Sequence, residues 1–314
     1  MEALRYGILS TSSIAPRFIA AVRQAGAGEI LALSSRSAEK EREKAALWQI
    51  PRAYGSHQAL LADSDVNIVY ISNVNALHYT WAKAALEAGK HVICEKPCTT
   101  TARQTRELFA LAREKGLFFM EAEKMLLLPV MQEVRSRILA GELGAIHMVQ
   151  LSHSFPGSYN GWMFDEAAGG GPLLSSGIYA VQLICWLFGE ITAIHGTASK
   201  LPSSVEWQYV LTGETEQGVL FSAKNSTRAT LDNTCRIFGE KGYIELPNYW
   251  KAQKVIFHIA DKTETLEFPC QHELVYEAEH IAHCLEKGLL NSPVITESLS
   301  LSGIRAIETV KRTW

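Results

Sequence analysis

The sequence predicts a two-domain α/β protein: an N-terminal doubly wound parallel sheet, then a C-terminal α+β domain with a large open, mostly antiparallel sheet. The chain has 314 residues, more than the roughly 250 at which single cores usually stop growing. Short apolar runs alternate with helical patterns over the first third of the chain. After Pro129 the pattern changes to alternating segments separated by turn residues. We expect domains at residues 1–122 and 123–314.

The first domain shows a regular alternation of predicted strands and helices. Apolar runs predict strands at 6–10, 30–34, 68–71, 91–95 and 117–121. Helical patterns predict helices at 14–24, 39–47, 78–87 and 101–115. Strands separated by helices of about ten residues are joined by right-handed parallel crossovers, which favours a doubly wound sheet.

The second domain combines helices with a run of short alternating segments. Helices are predicted at 130–139, 173–188, 273–287 and 297–312. Strands are predicted at 148–155, 191–199, 206–212, 218–226, 231–239 and 255–259. Because turn residues separate the later strands, we expect an antiparallel meander.

Composition favours a small-molecule partner. A net charge of -3 and a pI near 6.4 provide no field that would recruit nucleic acid or a membrane surface. The start lacks a basic region followed by an apolar one, and no run of about 18 apolar residues follows, so we expect a cytoplasmic protein. The six cysteines form no CxxC pair and the ten histidines no HExxH motif, so we expect no metal.

Lys96 closes an apolar run. Val92, Ile93 and Cys94 form the buried part of a strand, and Pro97 makes its continuation in a central position unfavourable. Lys96 is therefore predicted at a strand's carboxyl end, where ligands bind in open α/β sheets. The alternative is a lysine that only reaches solvent beside a turn.

The segment between the first strand and the first helix stands where a dinucleotide fold places its phosphate loop. It offers Ser10, Thr11, Ser12 and Ile14. The usual fingerprint has glycine at the positions of Ser10 and Ser12 and a small residue at Ala15, so only Ala15 complies. The backbone N–H groups at the helix start can still bind an anion. We therefore expect a cofactor that binds here more weakly, or in a different position, than in a fold with the usual glycines. The alternative is a capping loop.

Two further strand ends carry polar residues. Ser35 and Arg36 follow the second strand, and an arginine there suits the 2'-phosphate of NADP. NAD remains an alternative cofactor, because Arg36 could instead be the first residue of a solvent-exposed helix. Ser72, Asn73 and Asn75 follow the third strand and either line the cofactor path or cap the next helix.

Five motifs lie along the chain: Glu95-Lys96-Pro97, Asn75 with His78, Glu121-Ala122, Gly169-Gly170-Gly171 and Gly177-Ile178-Tyr179. Together they resemble the Gfo/Idh/MocA family over nearly the whole chain, and most closely its dihydrodiol dehydrogenase and sugar reductase branch. The resemblance implies an NAD(P)-dependent oxidoreductase with a Rossmann domain, and a homodimer or larger homo-oligomer formed through the C-terminal sheet.

The resemblance also implies roles for individual residues. Lys96 would lie beside the nicotinamide, with Glu95 and His78 in the cofactor site, and Tyr179 would take the place of the family's His or Tyr. Ser175 stands where the family usually has aspartate. Lys124 opens the segment where the family commonly has an arginine. These departures affect substrate identity more than hydride chemistry.

Hydride transfer at a carbinol carbon requires a group that moves the hydroxyl proton. We expect Tyr179 to be the acid/base and Lys96 to stabilise the alkoxide, with the reverse assignment open. Ser175, Lys124 and Trp162 are candidate substrate contacts, Ser175 because it shares a helical face with Tyr179 and Trp162 because it can stack on a ring. The alternatives are ordinary packing roles for Tyr179, Ser175 and Trp162.

We therefore predict an NADP-dependent oxidoreductase that acts on a CH–OH or carbonyl group of a sugar, a sugar derivative or a cyclic diol. Two alternatives remain on the same fold. The serines of the phosphate loop and the missing aspartate would suit a catalytically silent nucleotide-binding sensor. The second alternative is a nicotinamide-dependent glycosidase, an activity that is also found among members of the family.

Overall fold

A computed structural model describes residues 3–35, 38–157, 161–202 and 205–314. The strands are β1 (Arg5–Leu9), β2 (Glu29–Ser34), β3 (Arg52–Tyr54), β4 (Ile68–Ile71), β5 (His91–Glu95), β6 (Phe119–Ala122), β7 (Ile146–Ser154), β8 (Ile191–Lys200), β9 (Glu206–Thr215), β10 (Leu220–Ser226), β11 (Thr234–Gly239), β12 (Gly242–Pro247), β13 (Lys254–Ile259) and β14 (Lys262–Glu267). The α-helices are α1 (Ala15–Ala25), α2 (Ala38–Leu47), α3 (His57–Leu61), α4 (Asn75–Glu87), α5 (Ala102–Lys115), α6 (Pro129–Leu139), α7 (Ile178–Phe188), α8 (Val275–Glu286) and α9 (Glu297–Lys311). Within these described ranges, none of the helices has the length and apolar character needed to cross a bilayer.

The chain forms two compact units. The first comprises Met1–Lys124 and His272–Glu297, and the second Met125–Gln271 and Ser298–Trp314. The segment containing α8 therefore belongs by its contacts to the first unit, although the sequence pattern places it in the second domain. The reason is that α8 packs against α1, and the Phe119 N–H donates to the Leu290 carbonyl at 3.1 Å. The domain boundary after residue 122 stays a prediction.

The sheet of the first unit is parallel throughout, in the order β3-β2-β1-β4-β5-β6. This confirms the doubly wound prediction. The strand order reverses between β1 and β4, and the crevice outside the carboxyl ends at such a point is where ligands bind in these sheets. All four residues of β4 are buried, as expected for a strand covered on both faces.

The sheet of the second unit has the order β14-β13-β12-β11-β7-β10-β9-β8. Its pairs are antiparallel except β7 with β10, which are parallel. A mostly antiparallel sheet is thus confirmed, but a simple meander is wrong, because β7 inserts between β10 and β11. The sequence reading also missed β12 and β14. β14 lies at the sheet edge with mostly exposed side chains, so it lacks apolar alternation.

The helix predicted at 173–188 divides into two parts. Leu173–Gly177 is a π-helical turn, and α7 continues from Ile178. The buried Glu206 carboxylate accepts from the Leu173 N–H at 2.9 Å, and Asn225 Nδ2 donates to Ser176 Oγ at 2.9 Å. Because side chains from β9 and β10 hold this turn, its geometry is set by the sheet beneath it. Such turns are frequent at functional sites.

Gly170 lies in the loop that enters this turn, and the loop has no room for a side chain there. A Cβ on Gly170 would lie 2.5 Å from the Met163 carbonyl oxygen and 2.7 Å from that of Trp162. Both contacts are with backbone, so neither can be relieved by rotating a side chain. Glycine is therefore required here for packing.

We expect Gly170→Ala to lower the free energy of unfolding by about 2 kcal/mol or more, because the backbone of the loop must shift. The matched control is Gly141→Ala, where φ is positive but no described atom outside the adjacent residues lies within 4 Å of the added Cβ, so a cost of only about 1 kcal/mol is expected. Urea denaturation of both variants measures the difference. Equal costs would contradict the packing argument.

Candidate functional site

The loop after β1 is tied to the end of β4 by serine side chains. Ser10 has a φ of 123°, a conformation that favours glycine and costs other residues of the order of 1–3 kcal/mol. The Ser12 N–H donates to Ser10 Oγ at 3.1 Å, and Ser12 Oγ donates to Ser72 Oγ at 2.8 Å. The structure thus brings three predicted cofactor residues together, and the serine hydroxyls partly replace the fingerprint glycines by bracing the loop.

The start of α1 follows this loop. Ile14 occupies the N-cap position, and none of the side chains that the structure describes caps the first turn. Thr11 and Ile14 are partly exposed. The positive end of the helix dipole at this edge of the sheet fits the cofactor's anionic pyrophosphate.

At the end of β2, Ser34 and Ser35 are buried. Arg36 lies outside the described residues, so its contact with a 2'-phosphate stays a prediction. The structure adds a residue that the sequence reading missed: His57 Nδ1 lies 2.7 Å from Ser34 Oγ, and its Nε2 lies 3.2 Å from Asn73 Nδ2. His57 had no sequence signal, because α3 is too short to show a helical period.

His78 connects the loop after β4 with the loop after β5. Its Nδ1 lies 2.8 Å from the Pro97 carbonyl oxygen and its Nε2 2.9 Å from that of Asn73. Burial lowers the pKa of His78, and the hydrogen bonds to the two carbonyls oppose that effect. His78 is therefore a brace within the predicted cofactor site, and Asn75, also buried, begins α4 beside it.

Lys96 follows directly on β5, as predicted, and the preceding carboxylate anchors it. Tyr70 Oη donates to Glu95 Oε1 at 2.6 Å, and the Lys96 N–H donates to Glu95 Oε2 at 3.2 Å. Burial lowers the pKa of the half-buried Lys96, while the Glu95 and Glu123 carboxylates oppose that effect. A lysine with a lowered pKa can exchange a proton closer to neutral pH than an ordinary one.

Lys124 is already engaged in an ion pair. Its Nζ donates to Glu273 Oε1 at 2.7 Å, and Arg17 pairs with the same oxygen. Burial raises the pKa of Glu273, but the two cations outweigh that effect and hold it at about 2. The ammonium would have to leave or share this pair to bind substrate, and its predicted role as a substrate contact stays a prediction.

Glu277 on α8 is a second residue that the sequence reading missed. It is fully buried, and neither of its carboxyl oxygens has a hydrogen-bond partner in the described part of the chain. Burial and the nearby Glu95 and Glu123 raise its pKa well above 4.5. Its only sequence signal is a charge on the apolar face of α8, which it shares with Ala278 and Ile281.

The predicted residues of the second unit lie around the start of α7. Tyr179 is 7% exposed, in the first turn of α7. Ser175 is partly exposed, and its Oγ donates to the Gly171 carbonyl at 2.5 Å. Trp162 is half-buried in a short 3-10 helix, Gly161–Phe164. Their catalytic and substrate-binding roles stay predictions.

Over the described ranges, no group of three or more His, Cys, Asp and Glu side chains is placed to hold a metal ion. The first unit instead fits a dinucleotide. An uncapped helix start follows β1, and the buried Asn73 Oδ1 has no hydrogen-bond partner among the described residues. A doubly wound sheet with these features and a lysine at the end of β5 defines a nicotinamide-dependent oxidoreductase.

Comparison with known proteins supports this class and gives the family. Residues 4–123 match the model described as oxidoreductase family, NAD-binding Rossmann fold, and residues 131–245 match the GFO/IDH/MocA C-terminal domain. The chain belongs to the Gfo/Idh/MocA family and is an NAD(P)-dependent oxidoreductase.

The chain is similar along its length to proteins named trans-1,2-dihydrobenzene-1,2-diol dehydrogenase. It is 34% identical to that of Bos taurus over 316 residues, covering 93% of this chain and 91% of the relative. It is 32% identical to that of Xenopus laevis over 326 residues, covering 98% and 96%. Among solved structures, a 3-ketoreductase from Actinomadura kijaniata in complex with NADP and TDP-benzene matches with a TM-score of 0.90 and 25% identity, covering 99% and 98%.

We expect Glu277→Gln to stabilise the protein increasingly as pH rises from 5 to 8. Burial raises the pKa of the Glu277 carboxyl in the folded state, whereas the unfolded carboxyl loses its proton near pH 4.5. Between pH 5 and 8 the free energy of unfolding therefore falls as pH rises. The total loss is about 1.4 kcal/mol for each unit by which folding raises the pKa. Glutamine cannot ionise and removes this slope.

The matched control is Glu279→Gln, which changes an exposed residue of the same helix and should leave the slope unchanged. Thermal unfolding at pH 5, 6, 7 and 8 measures both variants. A slope of unchanged size in Glu277→Gln would show that the Glu277 proton does not cause it, since burial also raises the pKa of Glu206 and of Glu41.

Proposed function

We propose that this protein is an NADP-dependent dehydrogenase or reductase that acts on a CH–OH or carbonyl group of a small polyhydroxylated substrate, such as a cyclic vicinal diol, a sugar or a sugar derivative. The observation that carries the proposal is Lys96, a lysine with a lowered pKa, held by Glu95 at the carboxyl end of β5. Supporting it, the curated relatives are named for a cyclic diol, and the ketoreductase structure contains NADP.

The cofactor, when bound, accepts or donates a hydride at its nicotinamide ring. The residues proposed to hold it come from four strand ends of the first unit: Ser10, Thr11, Ser12, Ile14, Ser35, Arg36, Ser72, Asn73, Asn75, His78, Glu95 and Lys96. The helix start at Ile14 would receive the pyrophosphate. Arg36 would select NADP over NAD by pairing with the 2'-phosphate.

Tyr179 and Lys96 are proposed to take part in proton transfer at the substrate hydroxyl. Tyr179 would exchange the proton of the substrate hydroxyl, and the Lys96 ammonium would stabilise the alkoxide that forms as the hydride leaves. Ser175, whose own hydroxyl proton is donated to the Gly171 carbonyl, would accept a hydrogen bond from a second substrate hydroxyl in place of the family's aspartate. Trp162 and Lys124 would contact the rest of the substrate.

We expect Lys96→Ala and Tyr179→Phe each to lower kcat by about 10²–10⁴, while the Kd for NADPH changes only a few-fold. Turnover is measured spectrophotometrically at the nicotinamide band with a panel of cyclic diols, sugars and matching carbonyl compounds. Tyr179→Phe should also remove the pH dependence of kcat that belongs to the proton-transfer group.

The matched control is Lys115→Ala at the exposed end of α5, which should leave kcat unchanged. Turnover by Lys96→Ala at the normal rate would refute the role given to Lys96. A pH profile that Tyr179→Phe leaves intact, but Lys96→Arg shifts, would reverse the two assignments. Equal use of NADH and NADPH would refute the choice of cofactor.

We also infer that the protein forms a homodimer, or a larger homo-oligomer, through the open face of the second sheet. Exposed apolar side chains lie on three adjacent strands of that sheet: Met148 is 40%, Val210 54% and Leu220 49% exposed. Met148 pairs with Leu220, and Val210 pairs with Lys224, four residues beyond Leu220. All three side chains therefore share one face, as an interface would require.

We expect Val210→Arg to shift the protein toward monomer, because it places a further charge on this exposed apolar face. Analytical ultracentrifugation measures the oligomeric state. Leu139→Arg, at an apolar and even more exposed position at the end of α6, is the control and should not change it. A monomeric parent protein, or a Val210→Arg variant of unchanged size, would contradict the inference.

A further inference from the structure

We propose that His57 is a positioning residue for the adenosine half of the cofactor: its ring joins the ends of β2 and β4 and turns the Asn73 side chain so that Oδ1 accepts a hydrogen bond from an adenosine hydroxyl or amino group. The proposal rests on the cofactor placement given above, and it concerns binding rather than turnover.

His57 bridges two strand ends that flank β1. It is the first residue of α3 and is 3% exposed. Its Nδ1 lies 2.7 Å from Ser34 Oγ, at the end of β2, and its Nε2 lies 3.2 Å from Asn73 Nδ2, just after β4. Because β1 lies between β2 and β4 in the sheet, the ring spans the point where the strand order reverses.

The hydrogen-bonding capacity of the groups orients the Asn73 amide. An amide nitrogen can only donate, so Nδ2 donates to an unprotonated His57 Nε2, and the ring proton lies on Nδ1, which donates to Ser34 Oγ. With Nδ2 engaged, Oδ1 faces away from the ring. The ring itself is fixed, because it packs edge-on against Trp81 with centroids 4.6 Å apart at 80°.

Asn73 Oδ1 then lacks a donor. It is buried, and no hydrogen-bond partner for it lies within the described ranges. Buried acceptors in folded proteins are nearly always satisfied, so this oxygen calls for a donor from a ligand or an ordered water. Ser34 is the last residue of β2, and dinucleotide folds bind the adenosine ribose at the end of this strand. The adenosine part of the cofactor carries hydroxyl and amino groups that can donate to this oxygen.

Three substitutions at His57 separate positioning from packing. His57→Phe keeps an aromatic ring against Trp81 but removes both hydrogen bonds. His57→Gln places an amide near the former Nε2 and can still hold Asn73, whereas His57→Asn reaches only toward Ser34. Isothermal titration calorimetry gives dissociation constants for NADPH, for adenosine 2',5'-bisphosphate and for reduced nicotinamide mononucleotide.

We expect His57→Phe and His57→Asn to weaken NADPH and adenosine bisphosphate binding about tenfold, the value of one hydrogen bond, and to leave mononucleotide binding unchanged. His57→Gln should keep most of the parent affinity. Asn73→Ala should weaken the two adenosine ligands by the same factor, and adding His57→Phe to it should cause no further loss.

Adenosine bisphosphate binding that is unchanged in His57→Phe, or an equal loss for the mononucleotide, would overturn the proposal, since the second result would mean general loosening. If His57→Phe does not fold, the comparison of His57→Asn with His57→Gln decides in the same way, and equal affinities for adenosine bisphosphate in the two variants would overturn the proposal. Failure of every diol and sugar substrate would refute the proposed function but leave these binding constants measurable, so the two ideas fail separately.

Discussion

The parallel alignment of six strands is the constraint on which the rest of the first unit depends. It brings all the strand carboxyl ends to one edge, so the loops after β1, β2, β4 and β5 must share a small space. Their polar side chains satisfy one another there, as Ser12 does with Ser72 and His78 with the Pro97 carbonyl. The phosphate loop can therefore lack two of the usual glycines, because the Ser10 hydroxyl within the loop and the Ser72 hydroxyl of a neighbouring loop hold Ser12.

The same crowding sets the electrostatics around the lysine. Burial lowers the pKa of Lys96 and the Glu95 and Glu123 carboxyls oppose that effect, while burial and the same two carboxyls raise the pKa of Glu277. An additional carboxylate nearby would raise the pKa of Lys96, and the loss of one would lower it. The pKa of Lys96 thus depends on residues from β5 and from the segment after β6.

The parts that the sequence predicted are those set by neighbours along the chain. Lys96 could be placed at a strand end because Val92 to Cys94 and Pro97 flank it directly. His57 and Glu277 could not be predicted, because their significance comes from Ser34, Asn73 and Glu95, which lie 16 to 182 residues away in the chain. Arg36 and the substrate residues Ser175, Trp162 and Lys124 remain predictions that rest on local pattern and family resemblance.

By itself, the sequence determined the doubly wound parallel architecture, the mostly antiparallel second sheet and the position of Lys96, because hydrophobic period and proline sterics act within a few residues. Only the tertiary structure decided that β7 inserts between β10 and β11, that Leu173–Gly177 forms a π-helical turn, that α8 joins the first unit and that Lys124 pairs with Glu273. These features depend on partners that meet only after the chain folds, such as Lys124 and Glu273, 149 residues apart. No local sequence pattern predicts a contact between residues so far apart in the chain.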